Sequence, residues 1–150
     1  MTRDDFIAKA KSAATKTSSK SGFLMGITMA QAALESNFGQ SQLSRTANNY
    51  LGIKAHGKHA AMEFRTNEFE AGSEKQVVAR FAAYDSMEEC FQCRDRLIAS
   101  GSVYAEARAA KGDPERFVNE LGKHWATDPK YAGKVLRIYR ENGLDRFDQK

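Results

Sequence analysis

A single run of strict alternation inside a chain whose other patterning is helical constrains the fold more than any other feature. From Met62 to Phe69, Met62, Phe64, Thr66 and Glu68 fall on one side and Glu63, Arg65, Asn67 and Phe69 on the other, the period of two that marks a strand. Glu70-Ala-Gly-Ser-Glu-Lys75 supplies a turn and Val77 to Phe81 a returning strand, so one hairpin is expected. Helices must supply the rest of the core. That makes the fold α+β and mainly helical, with a small hairpin lobe set apart from the helices and a groove between the two as the natural ligand site.

Residues 3–16 read as a first helix and 22–38 as a second. At about 100° per residue, Leu24, Ile27, Leu34 and Phe38 share one face of the second helix, with Gln31 inside it and Glu35 at its edge. The polar stretch 40–49 and the run Tyr50-Leu-Gly-Ile-Lys-Ala55 then predict an ordered loop turning back onto a core, where Asn48 and Asn49 can bond their own backbone. Ser86 followed by Glu89 makes a capping box for a helix that stops near Ser100-Gly101. Asp113-Pro114 and Asp128-Pro129 each offer a side-chain acceptor ahead of a proline, opening helices that end near Gly122 and Asn142-Gly143.

Length sets the domain count: 150 residues with no repeat, linker or charge block suit one domain over 1–150. A hydrophobic fraction of 41% against 28% charged residues excludes disorder, and no apolar run reaches the roughly 20 residues of a membrane span. The net charge of +4 favours anionic partners weakly, but no motif or basic stripe supports nucleic-acid binding. Cys90 and Cys93 lack further ligands at metal spacing, and Cys90 lies in the apolar stripe of its helix, so a structural role is expected and no metal. His56, His59 and His124 read as surface residues.

Glu35 and Glu68 are the candidate chemistry, because each is an ionisable group on an otherwise apolar face. A carboxyl kept neutral near pH 7 by burial can protonate a leaving oxygen, while a better solvated partner stays charged to activate water or steady a cationic transition state. Glycoside hydrolysis needs that division of labour. Spacing alone favours the plainer reading, two edge-of-face glutamates that reach solvent on flexible stems.

Ala30-Gln-Ala-Ala-Leu-Glu-Ser-Asn-Phe-Gly39 followed by Ala47-Asn-Asn-Tyr-Leu-Gly-Ile-Lys-Ala55 resembles the glucosaminidase family of peptidoglycan hydrolases, glycoside hydrolase family 73. Thr66-Asn-Glu-Phe69, Phe81-Ala-Ala-Tyr-Asp-Ser86 and Trp125-Ala-Thr-Asp-Pro-Lys-Tyr-Ala132 continue the resemblance in the family's order. It implies a lysozyme-like fold and cleavage of the β-1,4 bond between N-acetylglucosamine and N-acetylmuramic acid, without metal or cofactor. Glu35 matches the general acid and Glu68 the second carboxylate, whose role varies within the family. Tyr131 matches a position whose hydroxyl would face the cleft, although a core aromatic at a helix start reads as well. Phe38, Asn49 and Trp125 are the candidate substrate-binding positions; Trp125 stacks on a sugar or packs, and Asn49 alternatively shapes the loop. Asp128 reads first as a helix cap. The chain departs from the family in Glu35-Ser-Asn-Phe-Gly39, where Glu-Ser-Gly-Trp-Gly is usual, in Leu51-Gly-Ile-Lys54 for Phe-Gly-Ile-Lys, and in Ala55-His-Gly-Lys-His-Ala60, where an aromatic sugar platform is common.

Competing expectations are a lytic transglycosylase or muramidase on the same scaffold, a phage lysin, and a non-catalytic cell-wall-binding module. The amino terminus carries Asp4 and Asp5 where a signal peptide would be basic. The resemblance therefore leads us to expect synthesis in the cytoplasm and delivery to a target cell's periplasm by non-classical secretion, as a type VI effector and antibacterial toxin. A cognate immunity protein that occludes the cleft is the expected protein partner.

Overall fold

The computed structural model of the chain describes residues 1–57 and 60–149, so the expectation for His59 lies outside the described residues. Helix α1 (Arg3–Ser21) begins with a reciprocal capping box between Thr2 and Asp5 and ends at Gly22, which takes the left-handed conformation. It runs five residues beyond the expected end at residue 16, because nothing breaks it before that glycine.

Helix α2 (Met25–Ser36) is the centre of the molecule. Nine of its twelve residues are buried, so it is not the one-faced helix that the periodicity predicts but one enclosed on nearly every side. Its small residues allow this: a methyl group on Gly26 would stand 2.3 Å from the Leu144 carbonyl oxygen. Leu24, at its N-cap, offers no side-chain acceptor. Asp148 does so from the far end of the chain, accepting the Gly26 N–H at 2.8 Å and the Tyr139 hydroxyl at 2.8 Å.

The polar stretch after Gly39 holds a short helix, α3 (Gln42–Ala47), that the sequence does not suggest; Ser41 caps it and Asn48 closes it in a left-handed turn. Tyr50, Leu51 and Ile53 then return to the core as expected. Strands β1 (Ala61–Glu70) and β2 (Ser73–Ala82) pair antiparallel from Ala61 opposite Ala82 to Glu70 opposite Ser73. The turn is tighter than predicted, with only Ala71 and Gly72 between the strands and both at positive φ, the geometry that matches strand twist in a two-residue hairpin. Phe64, Thr66 and Glu68 are partly buried, in keeping with the alternation, but Met62 at the start of that side is exposed and Phe69 on the opposite side is partly buried, because the two ends of β1 do not meet the body of the molecule with the same face.

Ser86 caps α4 (Met87–Ser100), and Asp113 with Pro114 opens α6 (Pro114–Trp125), after the short α5 (Ala105–Ala109). Helix α6 continues past Gly122, where the sequence suggested its end. Helix α7 (Tyr131–Glu141) starts later than expected: Asp128 accepts from the Lys130 N–H and pairs with Lys134, so Asp128-Pro129 forms the turn before the helix and not its first residues. Cys90 packs in the core, where burial pushes its thiol up to about 12, as suits a structural residue. Among the described residues no helix is long and apolar enough to cross a membrane.

Candidate active site

Helix α2 delivers Glu35 at its penultimate position, to the floor of a groove of about 1090 Å³ between the helices and the hairpin. The backbone of Gly52 passes directly beneath the carboxyl. A methyl group there would lie 3.1 Å from Glu35 Oε2, and φ of +67° already favours glycine, so the loop that follows α3 closes one side of the pocket. Burial raises the Glu35 carboxyl from its ordinary 4.5 to about 7. A hydrogen bond from the Tyr131 hydroxyl opposes that rise, and the negative charge of Glu68 adds to it.

Glu68 stands on the inner side of β1 with both oxygens engaged. Lys54 Nζ lies 2.7 Å from Oε1, and the Thr127 hydroxyl donates to Oε2 at 3.1 Å. The Lys54 hydrogen bond is the main reason that this carboxyl is held below its ordinary value; Thr127 acts the same way, and partial burial opposes both. Glu68 is thus a carboxylate throughout the neutral range. Thr127 also accepts the Phe69 N–H at 3.2 Å, so one hydroxyl clasps the hairpin to the loop between α6 and α7. Thr127→Val is expected to speed hydrogen exchange at the Phe69 amide while leaving the amides of α2 unchanged, measured by NMR or mass spectrometry.

Tyr131 is in the core and at the site together: its ring is buried, and its hydroxyl accepts from Gln31 Nε2 at 2.9 Å and meets Glu35. Trp125 lines the groove from the end of α6, backed by Tyr104 at 6.2 Å between ring centroids. Phe69 adds a second aromatic wall.

Two expected substrate-binding positions lie elsewhere. Phe38 follows Asn37 through consecutive left-handed residues, and its ring turns into the core against Phe6 (5.7 Å) and under the Arg3 guanidinium (4.1 Å). Asn49 is buried, with its amide committed to four backbone groups: it donates to the Ile53 and Ala82 carbonyls and accepts from the Leu51 and Ile53 N–H groups. It shapes the loop, the alternative reading of that position. Sequence reasoning missed Lys54 and Thr127, which reach Glu68 only across the fold. It also gave no role to Gln31, although an amide inside an apolar face signals a buried partner.

A protonated carboxyl near neutral pH, facing across a groove a carboxylate fixed in its charged form, is the pair that defines a glycoside hydrolase site. The comparisons agree. Residues 11–144 match the family described as glucosaminidase, mannosyl-glycoprotein endo-beta-N-acetylglucosaminidase. Among curated proteins, the chain is 33% identical over 145 residues to the peptidoglycan hydrolase FlgJ of Pseudomonas aeruginosa, covering 92% of this chain and 36% of FlgJ. It is 35% identical over 133 residues to the exo-glucosaminidase LytG of Bacillus subtilis, covering 84% and 46%. Among solved structures, a mutant peptidoglycan hydrolase from Sphingomonas sp. A1 superposes with a TM-score of 0.85 at 35% identity over 95% of this chain and 96% of that one. The chain belongs to the glucosaminidase family, with the lysozyme-like α+β fold that the resemblance implied. It spans between a third and a half of the length of those two curated relatives.

Proposed function

We propose that the chain is a peptidoglycan hydrolase, an endo-β-N-acetylglucosaminidase that cleaves the β-1,4 bond between N-acetylglucosamine and N-acetylmuramic acid. The observation that carries this reading is Glu35, a carboxyl that keeps its proton up to about pH 7 at the floor of the groove. Glu35 gives that proton to the glycosidic oxygen as the bond breaks. Glu68, held ionised by Lys54 and Thr127, supplies negative charge across the groove, steadying the cationic sugar or drawing a proton from the attacking water. Trp125 and Phe69 offer apolar faces on which sugar rings can stack. The hydroxyl of the attacking water becomes the new reducing end at the anomeric carbon, and its proton restores Glu35, directly or by way of Glu68 and solvent. Digestion of purified peptidoglycan, borohydride reduction and mass spectrometry test the bond and the acid together. Reduced N-acetylglucosamine ends with the wild type, lost with Glu35→Gln, are expected; reduced muramic or anhydro-muramic ends would assign a muramidase or a transglycosylase, and no cleavage a binding module.

The finer reading is an antibacterial effector acting in a target cell's periplasm, with a cognate immunity protein plugging the groove over Glu35. An open groove that a single protein loop could fill supports it, as does the fold, shared at 19% identity and a TM-score of 0.66 with a chain from a type VI effector–immunity complex of Pseudomonas protegens. Expression directed to the periplasm should arrest growth, and cytoplasmic expression should not. Equal toxicity in both compartments would overturn the delivery reading.

A further inference from the structure

We infer that Gln31 and Arg94 are positioning residues for the acid, forming with Tyr131 a buried one-way hydrogen-bond chain that holds the Tyr131 hydroxyl as a donor to Glu35. The inference rests on the reading of Glu35 as the acid and adds two residues that never meet substrate.

The direction of the chain follows from the donor and acceptor types. Arg94, from α4, is fully buried beneath α2. Its Nε and Nη2 both lie on Gln31 Oε1, at 3.0 and 2.7 Å, and its Nη1 reaches Thr28 Oγ1 and Asp95 Oδ1, each at 2.8 Å. A guanidinium has only donors, so the amide oxygen of Gln31 must face it. An amide turned the other way would set N–H against N–H in a dry interior, with the lost-bond cost that goes with it. The amide nitrogen is therefore aimed at Tyr131, 2.9 Å away, and can only donate. The phenol oxygen accepts there, which leaves its single proton to face the groove that Tyr131 and Glu35 line together, where the carboxyl takes it.

Two outcomes follow for the site. Tyr131 always donates, so the chain offsets part of the burial that raises Glu35 and stops the acid from holding its proton too tightly. It also fixes where the carboxyl points, because that donor is anchored through Gln31 to α4. The other charged groups that line the groove with the acid are Glu68 and Glu74 of the hairpin, Lys54 of the loop, Lys123 of α6, and Asp128 and Lys134 at α7; Glu68 pairs with Lys54 and Asp128 with Lys134, and Asp95 balances Arg94 from behind.

Gln31→Glu tests the direction of the chain and keeps a partner for Arg94. Its second oxygen can only accept, so Tyr131 turns its proton away from Glu35. The high-pH limb of kcat/KM on soluble glycan chains should move up by at least one pH unit. In a Tyr131→Phe background the same substitution should move it by less than half as much, since no hydroxyl remains to turn. A limb that stays in place, or moves equally with and without the hydroxyl, overturns the inference. Should Gln31→Glu not fold, Gln31→Met gives the second reading. Its loss of kcat, about fivefold or more at unchanged KM, should vanish when Tyr131 is already Phe, and independent losses that multiply would overturn the chain. Glu35→Gln separates the two levels: an inactive Glu35→Gln with an unmoved limb sinks this inference alone, and an active one sinks the acid assignment with it.

Discussion

Glu35→Gln is expected to lower kcat about a thousandfold and, above neutral pH, to make the folded chain more stable than the wild type. The first effect is the loss of a general acid, a contribution of roughly 10²–10⁴. The second follows from linkage. Below pH 4.5 the carboxyl is protonated in both folded and unfolded chains and the glutamate has its full stability. As pH rises, the unfolded chain releases its proton first, because the folded carboxyl titrates only at about 7. Stability is lost through that window, and beyond it the buried charge costs on the order of 3 kcal/mol. Glutamine carries no such charge. Thermal melts should coincide at pH 4 and separate by pH 8, with the variant higher. A variant that is inactive and also less stable at pH 8 would mean that Glu35 is a structural ion and not a strained acid.

Arg94→Met is expected to be the most damaging single change to the fold. It would strand Asp95, which is buried and among the described residues keeps the Ser21 hydroxyl at 2.7 Å, and would leave the Gln31 oxygen without its two donors. Breaking one half of a buried ion pair costs about 3–5 kcal/mol. For a domain of this size that corresponds to a fall in Tm on the order of 10 °C. Arg94→Lys should recover only part of the loss, since an ammonium keeps the charge but cannot reproduce the planar fork that serves Gln31, Thr28 and Asp95 together. A melt of Arg94→Met within 2 °C of the wild type would show that the guanidinium does not anchor α4 to α2.

Local chemistry made much of this architecture legible in the sequence. The caps at Ser86 and Asp113 start helices where side-chain oxygens meet free N–H groups, and period-two alternation marks β1 because Phe64, Thr66 and Glu68 share its partly buried side, although Phe69 on the other side also reaches the groove. Glu35 was legible as an acid at the edge of an apolar face. What stayed hidden depends on residues far apart in the chain. Lys54 and Thr127 converge on Glu68 from two loops, and no spacing encodes that meeting. Phe38 misleads for a local reason: the left-handed pair at Asn37 and Phe38 leaves the helix before its projected face reaches the groove. Arg94 did carry a signal. At about 100° per residue it falls between Leu97 and Phe91 on the apolar stripe of α4, and a charge placed there must find partners inside.

The carboxylate of Asp148 gives the catalytic unit a boundary that family likeness does not mark. The matched region stops at residue 144, yet the first turn of the helix carrying Glu35 is capped from residue 148, and Thr2 and Phe6 secure α1 before residue 11. A fragment cut to the matched region would keep both glutamates and lose the fastening at one end of the helix that aims the acid. For anyone grafting this domain onto another protein, the junctions belong outside residues 2 and 148.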